Sequence, residues 1–143
     1  MEDFATAIMG TDGLPERRLQ ARYYVRFQPR GDGQLARPRM TFYSDGENPL
    51  WMARSKRGWV SPDGDELRLS RRVRLRRPAS PGRADLYVRT EELLVRSDEE
   101  TARSELPVYA TLGPHEMRGT GMIADLHSGR LQLLSEVEGR YEE

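Results

Sequence analysis

The chain contains no cysteine. Disulfide frameworks and thiolate metal sites are therefore excluded, while the compartment is left open. Among 23 basic residues only Lys56 is a lysine; the rest are arginine. That reads as a coding bias and carries no functional signal by itself. There is no net charge, because 23 acidic residues balance the 23 basic ones. A global pull toward nucleic acid is thus absent. No run approaches the roughly 18 apolar residues that span a bilayer. The start, Met1-Glu2-Asp3-Phe4, is acidic where a signal peptide is basic. Only two histidines occur, His115 and His127. They lack metal-ligand spacing and read as loop residues, so no metal site is expected.

What remains is a chain of 143 residues, one domain (1–143) by length, with 36% hydrophobic and 32% charged content. Its core must be thin and fed by alternation. One phrase occurs twice. Leu67-x-Leu69-x-x-x-Val73 follows the turn Ser61-Pro62-Asp63-Gly64, and Leu131-x-Leu133-x-x-x-Val137 follows His127-Ser128-Gly129. All three apolar positions share one parity, which is one face of an extended strand.

Other runs alternate in the same way. Leu19, Ala21, Tyr23, Val25 and Phe27 share a face, with Tyr24 the exception on the other. Met40 and Phe42, Leu86 and Val88, Leu93 and Val95, and Met122, Ala124 and Leu126 follow the rule. Turn signals separate these runs, as at Gly31-Asp32-Gly33, Asp45-Gly46, Pro81-Gly82, Asp98-Glu99 and Gly113-Pro114. Helical spacing is scarce. Phe4–Met9 admits a short helix, and Thr90–Ala102 is the best longer candidate, although its Asp98-Glu99-Glu100 centre suits a hairpin tip better. Short strands with frequent turns predict an all-β, antiparallel sandwich or jelly roll.

Candidate chemistry is sparse. Asp63, Asp65 and Glu66 could be read as a glycosidase carboxylate pair, but an Asp/Gly-rich turn explains them more simply. Ser55, Ser70, Ser97 and Ser128 lack the nucleophile-elbow context. Gly119-x-Gly121 opens no helix, so it is not a dinucleotide loop; bulge glycines or a close backbone approach explain it. Arg71, Arg72, Arg74, Arg76 and Arg77 form a basic stretch. It suits a solvated or edge-blunting face, with contact to lipid phosphates as the sharper reading. No enzyme activity and no cofactor are expected.

The C-terminal third is more specific. Pro107-Val108-Tyr109, Gly119-Thr120-Gly121-Met122-Ile123-Ala124-Asp125-Leu126 and Leu131-Gln132-Leu133-Leu134-Ser135-Glu136-Val137-Glu138-Gly139-Arg140-Tyr141-Glu142 resemble the closing signature of the LptC family. Pro49-Leu50-Trp51-Met52-Ala53, Pro38-x-Met40-x-Phe42 and Arg18-Leu19-Gln20-Ala21 with Tyr23-Tyr24 extend the resemblance over Phe4–Glu142. That resemblance implies a periplasmic antiparallel β-jelly roll of the OstA-like type, open as a V-shaped groove between two sheets. It implies a protein that receives lipopolysaccharide from the ATP-driven inner-membrane ABC-transporter extractor and hands it to the next, LptA-like, bridge subunit. The native protein would carry an inner-membrane anchor in a segment absent here.

The inward parity and the resemblance together give the expected lipid-lining positions: Leu19, Tyr23, Val25, Phe27, Met40, Phe42, Trp51, Leu69, Val73, Met122, Leu133, Val137 and Tyr141. The alternative for each is plain packed core. The N-terminal edge, Phe4–Met9, is expected to meet the extractor. The C-terminal edge, Arg130–Tyr141, is expected to meet the bridge subunit. A soluble LptA-like subunit, a strand-pairing scaffold that holds no lipid, and a carbohydrate-active β-sandwich enzyme are the alternative functions.

Overall fold

The computed structural model describes residues 2–9, 15–43 and 48–140, with side-chain surroundings for 17–43 and 48–139. The strands are β1 (Glu2–Met9), β2 (Pro15–Arg26), β3 (Gly33–Ala36), β4 (Arg39–Tyr43), β5 (Pro49–Arg54), β6 (Arg57–Val60), β7 (Glu66–Arg77), β8 (Leu86–Arg96), β9 (Thr101–Leu112), β10 (His115–Asp125) and β11 (Leu131–Arg140). All pair antiparallel within one connected sheet. The Thr90–Ala102 segment is strand, turn and strand, as the acidic tip suggested. Phe4–Met9 is not a helix: it pairs with β2, from Phe4↔Ala21 to Met9↔Pro15. A helix of six residues is marginal in water, whereas pairing satisfies the same backbone groups.

The strand order is simpler than eleven segments suggest. β3 and β4 lie along β2 in one continuous register, Arg26↔Gly33 through Arg17↔Phe42. They form one strand broken at Arg37–Pro38. β5 and β6 also lie along β7, broken at Ser55–Lys56, with the register shifted by one residue across the break, from Arg54↔Arg74 to Arg57↔Ser70. The result is a plain meander from β1 to β11, each strand beside the next.

The breaks line up across the sheet. Arg37 has φ 51°, Arg71 and Arg72 have φ 65° and 53°, Gly121 has φ 82° and Glu136 has φ 51°. Register shifts fall between Ser70 and Val73, Arg89 and Leu94, Thr120 and Met122, and Arg118 and Thr120. A bulge inserts a residue, bends its strand and raises its twist. A row of them folds the whole sheet, so its apolar face closes on itself in jelly-roll fashion. Leu69, Val73, Leu93, Ala102, Ala110, Met122 and Ala124 are each 0% exposed, which a flat single sheet could not achieve.

The bulges also need their freed polar groups satisfied. Buried Thr90 donates from its hydroxyl to the Pro107 carbonyl at 3.0 Å and lies 3.2 Å from the Ser104 hydroxyl. The Ser104 hydroxyl in turn accepts the Leu106 N–H at 3.2 Å. Of the basic stretch, Arg71 and Arg72 sit exposed on the bulge, but Arg77 is buried. Its guanidinium donates to the Gly129 carbonyl at 2.6 Å and lies 6.0 Å from the Trp51 ring centroid. A solvated face therefore does not describe Arg77; it ties the end of β7 to the β10–β11 turn.

Candidate lipid-binding interior

Two halves of the same apolar face meet across one cavity of about 280 Å³. Leu19 and Met40 come from one side of the bulge line. Tyr24, Val60, Leu67 and Val95 come from the other. Val60, Leu67 and Val95 are consecutive cross-strand neighbours on β6, β7 and β8. Arg17, Arg18 and Arg26 also line the cavity, with Asp63 and Ser97. The turn beside it is self-capped. The Ser61 hydroxyl donates to Asp63 Oδ1 at 2.6 Å, and the Asp65 N–H donates to the same oxygen at 3.0 Å. Those two bonds hold the Asp63 carboxyl below its ordinary value. This carboxylate caps its turn, as the Asp/Gly-rich sequence suggested.

Only part of the expected lining reaches this cavity. Leu19 and Met40 do. Trp51, Leu69, Val73 and Met122 are 0% exposed and packed in the core, with Phe42 beside them at 8%. Leu133 is half-buried against that core from β11. Val25 is half-buried. Phe27 lies beyond the end of β2, half-buried, with the Arg30 guanidinium 5.0 Å from its ring centroid. Tyr23 and Val137, expected to point inward, are 47% and 55% exposed. Tyr141 lies outside the described residues.

Tyr24 takes the inward place expected of Tyr23, because the inward parity of β2 switches after Ala21. Its ring covers Gly33 so closely that a Cβ there would stand 2.6 Å from Tyr24 Cε2. A glycine diagonal to an aromatic across two strands is the sequence signal that was missed. Gly119 and Gly121 serve both expected roles. A Cβ on Gly119 would stand 3.2 Å from the Leu133 Cβ and from the Ser135 carbonyl oxygen, and Gly121 has φ +82° on the bulge. Ser55 is buried, its hydroxyl donating to the Arg57 carbonyl at 2.6 Å. His115 opens β10 instead of lying in a loop, while His127 is in the β10–β11 turn, 3.6 Å from the Glu100 carboxylate. Among the described residues no three His, Cys, Asp or Glu side chains come together as a metal site. No helix among them is long and apolar enough to cross a membrane.

The sheet ends on two strands with one partner each among the described strands: β1, which pairs with β2, and β11, which pairs with β10. Each leaves a row of N–H and C=O groups free for strand addition.

Comparison with known proteins bears on this arrangement. A family model described as lipopolysaccharide-assembly, LptC-related, matches residues 1–142. No curated protein sequence matches the chain. Among solved structures, the chain is similar to LptH of Pseudomonas aeruginosa, described as the LptA homologous periplasmic component of the conserved lipopolysaccharide transport device. The TM-score is 0.67 at 7% identity, over 89% of this chain and 95% of that one. At that identity the likeness concerns the fold, an OstA-like jelly roll.

Proposed function

The chain belongs to the LptC-related family of lipopolysaccharide-assembly proteins, and we propose that it takes lipopolysaccharide acyl chains into the apolar interior of its folded sheet. Its role lies in the lipopolysaccharide-transport bridge, as a transport component. The observation that carries the proposal is the cavity where Leu19 and Met40 face Val60, Leu67 and Val95 beside three arginines. Each acyl CH2 taken from water gains about 0.8 kcal/mol. Arginine suits a phosphate at the mouth, where the lipid headgroup would stay.

In this reading residues 1–143 act as one lipid-binding domain. The free edge of β1 adds to the ATP-driven extractor, and the free edge of β11 adds to an LptA-like subunit. The interior then continues from one protein to the next. An inner-membrane anchor encoded upstream would hold the domain beside the extractor. The native reading frame tests the anchor directly.

Photo-crosslinking tests the lipid path. A photoreactive residue at Leu19, Met40 or Val60 should label with lipopolysaccharide, and one at exposed Gln20 or Glu138 should not. Equal labelling of both groups would refute the interior path.

A further inference from the structure

The outer face of the sheet carries a row that the interior does not explain. Arg39 stands directly opposite Arg54. Arg54 stands opposite Arg74, and Arg74 opposite Arg89. Arg89 faces Tyr109, which faces Arg118. Directly opposed residues in a sheet share a face. At about 4.8 Å per strand, the row runs about 24 Å across β4, β5, β7, β8, β9 and β10. One position along each strand, Met40, Ala53, Leu75, Val88 and Ala110 form the matching inner row.

Four arginines in successive opposition repel one another, and like charges placed this way weaken a sheet. Yet none of the five row arginines forms an ion pair with a described carboxylate. The nearby acids are few and partly engaged, and only Glu91 acts on the row as a counter-charge, at Arg74. Glu91 accepts the Arg72 N–H at 2.9 Å. Glu116 accepts a hydrogen bond from Tyr109. Glu138 is opposite Arg118 in register, without an ion pair. Tyr109 instead arranges the cations, with the Arg89 and Arg118 guanidiniums 4.4 and 5.8 Å from its ring centroid. Arg74, Arg89, Tyr109 and Arg118 line an outward hollow of about 570 Å³, whose wall also carries the Glu91 carboxylate as its one acid. Burial first, and then the neighbouring Arg89, Arg72 and Arg54 charges, depress the Arg74 pKa, with Glu91 opposing them in part.

We propose that this outer arginine row is a second binding surface, which holds the phosphates of anionic lipid headgroups at a bilayer surface. Guanidinium forks match phosphate oxygens two at a time. The thickness of the sheet separates the row from any lipid whose chains lie inside, so the phosphates come from a surface approached from outside. Tyr87, 46% exposed with the Arg76 guanidinium 5.1 Å from its ring centroid, flanks the row on the same face. Tyrosine beside arginine is the pairing suited to a headgroup layer.

The test is co-sedimentation of the 143-residue chain with vesicles of phosphatidylcholine, with and without phosphatidylglycerol, at low salt. The row variant is Arg39→Gln/Arg54→Gln/Arg89→Gln. A control with the same loss of charge is Arg57→Gln/Arg103→Gln/Arg130→Gln. The chain should bind the anionic vesicles and not the neutral ones. The row variant should bind about a hundredfold more weakly, the control should lose far less, and inorganic pyrophosphate should compete. The row variant should melt no lower than the parent, because repulsion is relieved. Equal loss in both variants, binding to neutral vesicles, a lowered melting temperature of the row variant, or pyrophosphate binding without vesicle binding would each overturn the proposal.

Discussion

Leu69→Ala and Leu19→Ala, measured side by side, separate packed core from an open lipid path. Leu69 is 0% exposed, between Gly58 on β6 and Leu93 on β8. Truncating it removes buried methylenes and leaves a void that close packing does not refill. Such changes cost about 3–5 kcal/mol. For a chain of this length that is a fall in melting temperature of about 8–15 °C. Leu19 is only half-buried and already borders the cavity. Its truncation loses about half the transfer term of roughly three CH2 groups, about 1.2 kcal/mol, with no new void to add. The expected fall is about 3–5 °C.

Function should rank the two variants in the opposite order. Per folded molecule, Leu69→Ala should capture lipopolysaccharide normally, and Leu19→Ala should capture less. Thermal and urea denaturation give the stabilities, and photo-crosslinking from Met40 gives the capture. If Leu19→Ala proves as destabilising as Leu69→Ala, Leu19 is sealed core and the cavity is no route for lipid.

The other expectations are narrower. Thr90→Val removes the donor to the Pro107 carbonyl and should cost about 1–3 kcal/mol, read as a lower urea midpoint, while Thr90→Ser keeps the hydroxyl and most of the stability. The Asp32 carboxyl is held below its ordinary 3.8, first by the Trp59 indole N–H at 2.8 Å and then by Arg30. A depressed carboxylate stabilises above its unfolded value and is lost as pH falls through the folded one. The urea midpoint should therefore drop below about pH 4, and less steeply in Asp32→Asn. Deleting residues 131–143 should leave a fold visible by circular dichroism that binds the extractor but not the LptA-like subunit; a folded truncation with unchanged binding to that subunit would refute the assigned polarity.

Much of the sheet was legible because alternation is a direct consequence of strand geometry. Leu67, Leu69, Val73 and Leu75 are all buried, as their shared parity required. Apart from the bulge at Gly121, the breaks were not legible. Arg37, Arg71, Arg72 and Glu136 hold positive φ without being glycine, so the usual residue signal for a bulge is missing. A bulge in one strand can leave its own parity intact and switch its neighbour's. β7 keeps one parity from Leu67 to Leu75, while β8 switches between Thr90 and Leu93. On β2 the inward side changes between Ala21 and Tyr24 within a continuous register, which turned Tyr23 outward and Tyr24 inward and misplaced the expected lining there. Val60 and Val95 were hidden too, since no single-strand pattern distinguishes them from ordinary core.

That row of bulges links the fold to its proposed work. A flat meander with two free edges would be an aggregation hazard and would have no interior. The aligned breaks close the apolar face, yet they leave the first and last strands at opposite ends of the meander. Closing β1 onto β11 would complete a barrel and remove both edges, and with them any means of adding the next subunit strand by strand. A lipid moved from protein to protein needs an interior that continues across each junction. An unclosed, bent meander supplies the interior and the two edges from the same strands. The cost falls on β11, where Leu134 and Val137 stand 48% and 55% exposed on the free chain. In the proposed bridge a neighbouring subunit would complete that surface, and Glu136 and Glu138, between and beside these residues, suit an edge that must not pair with itself.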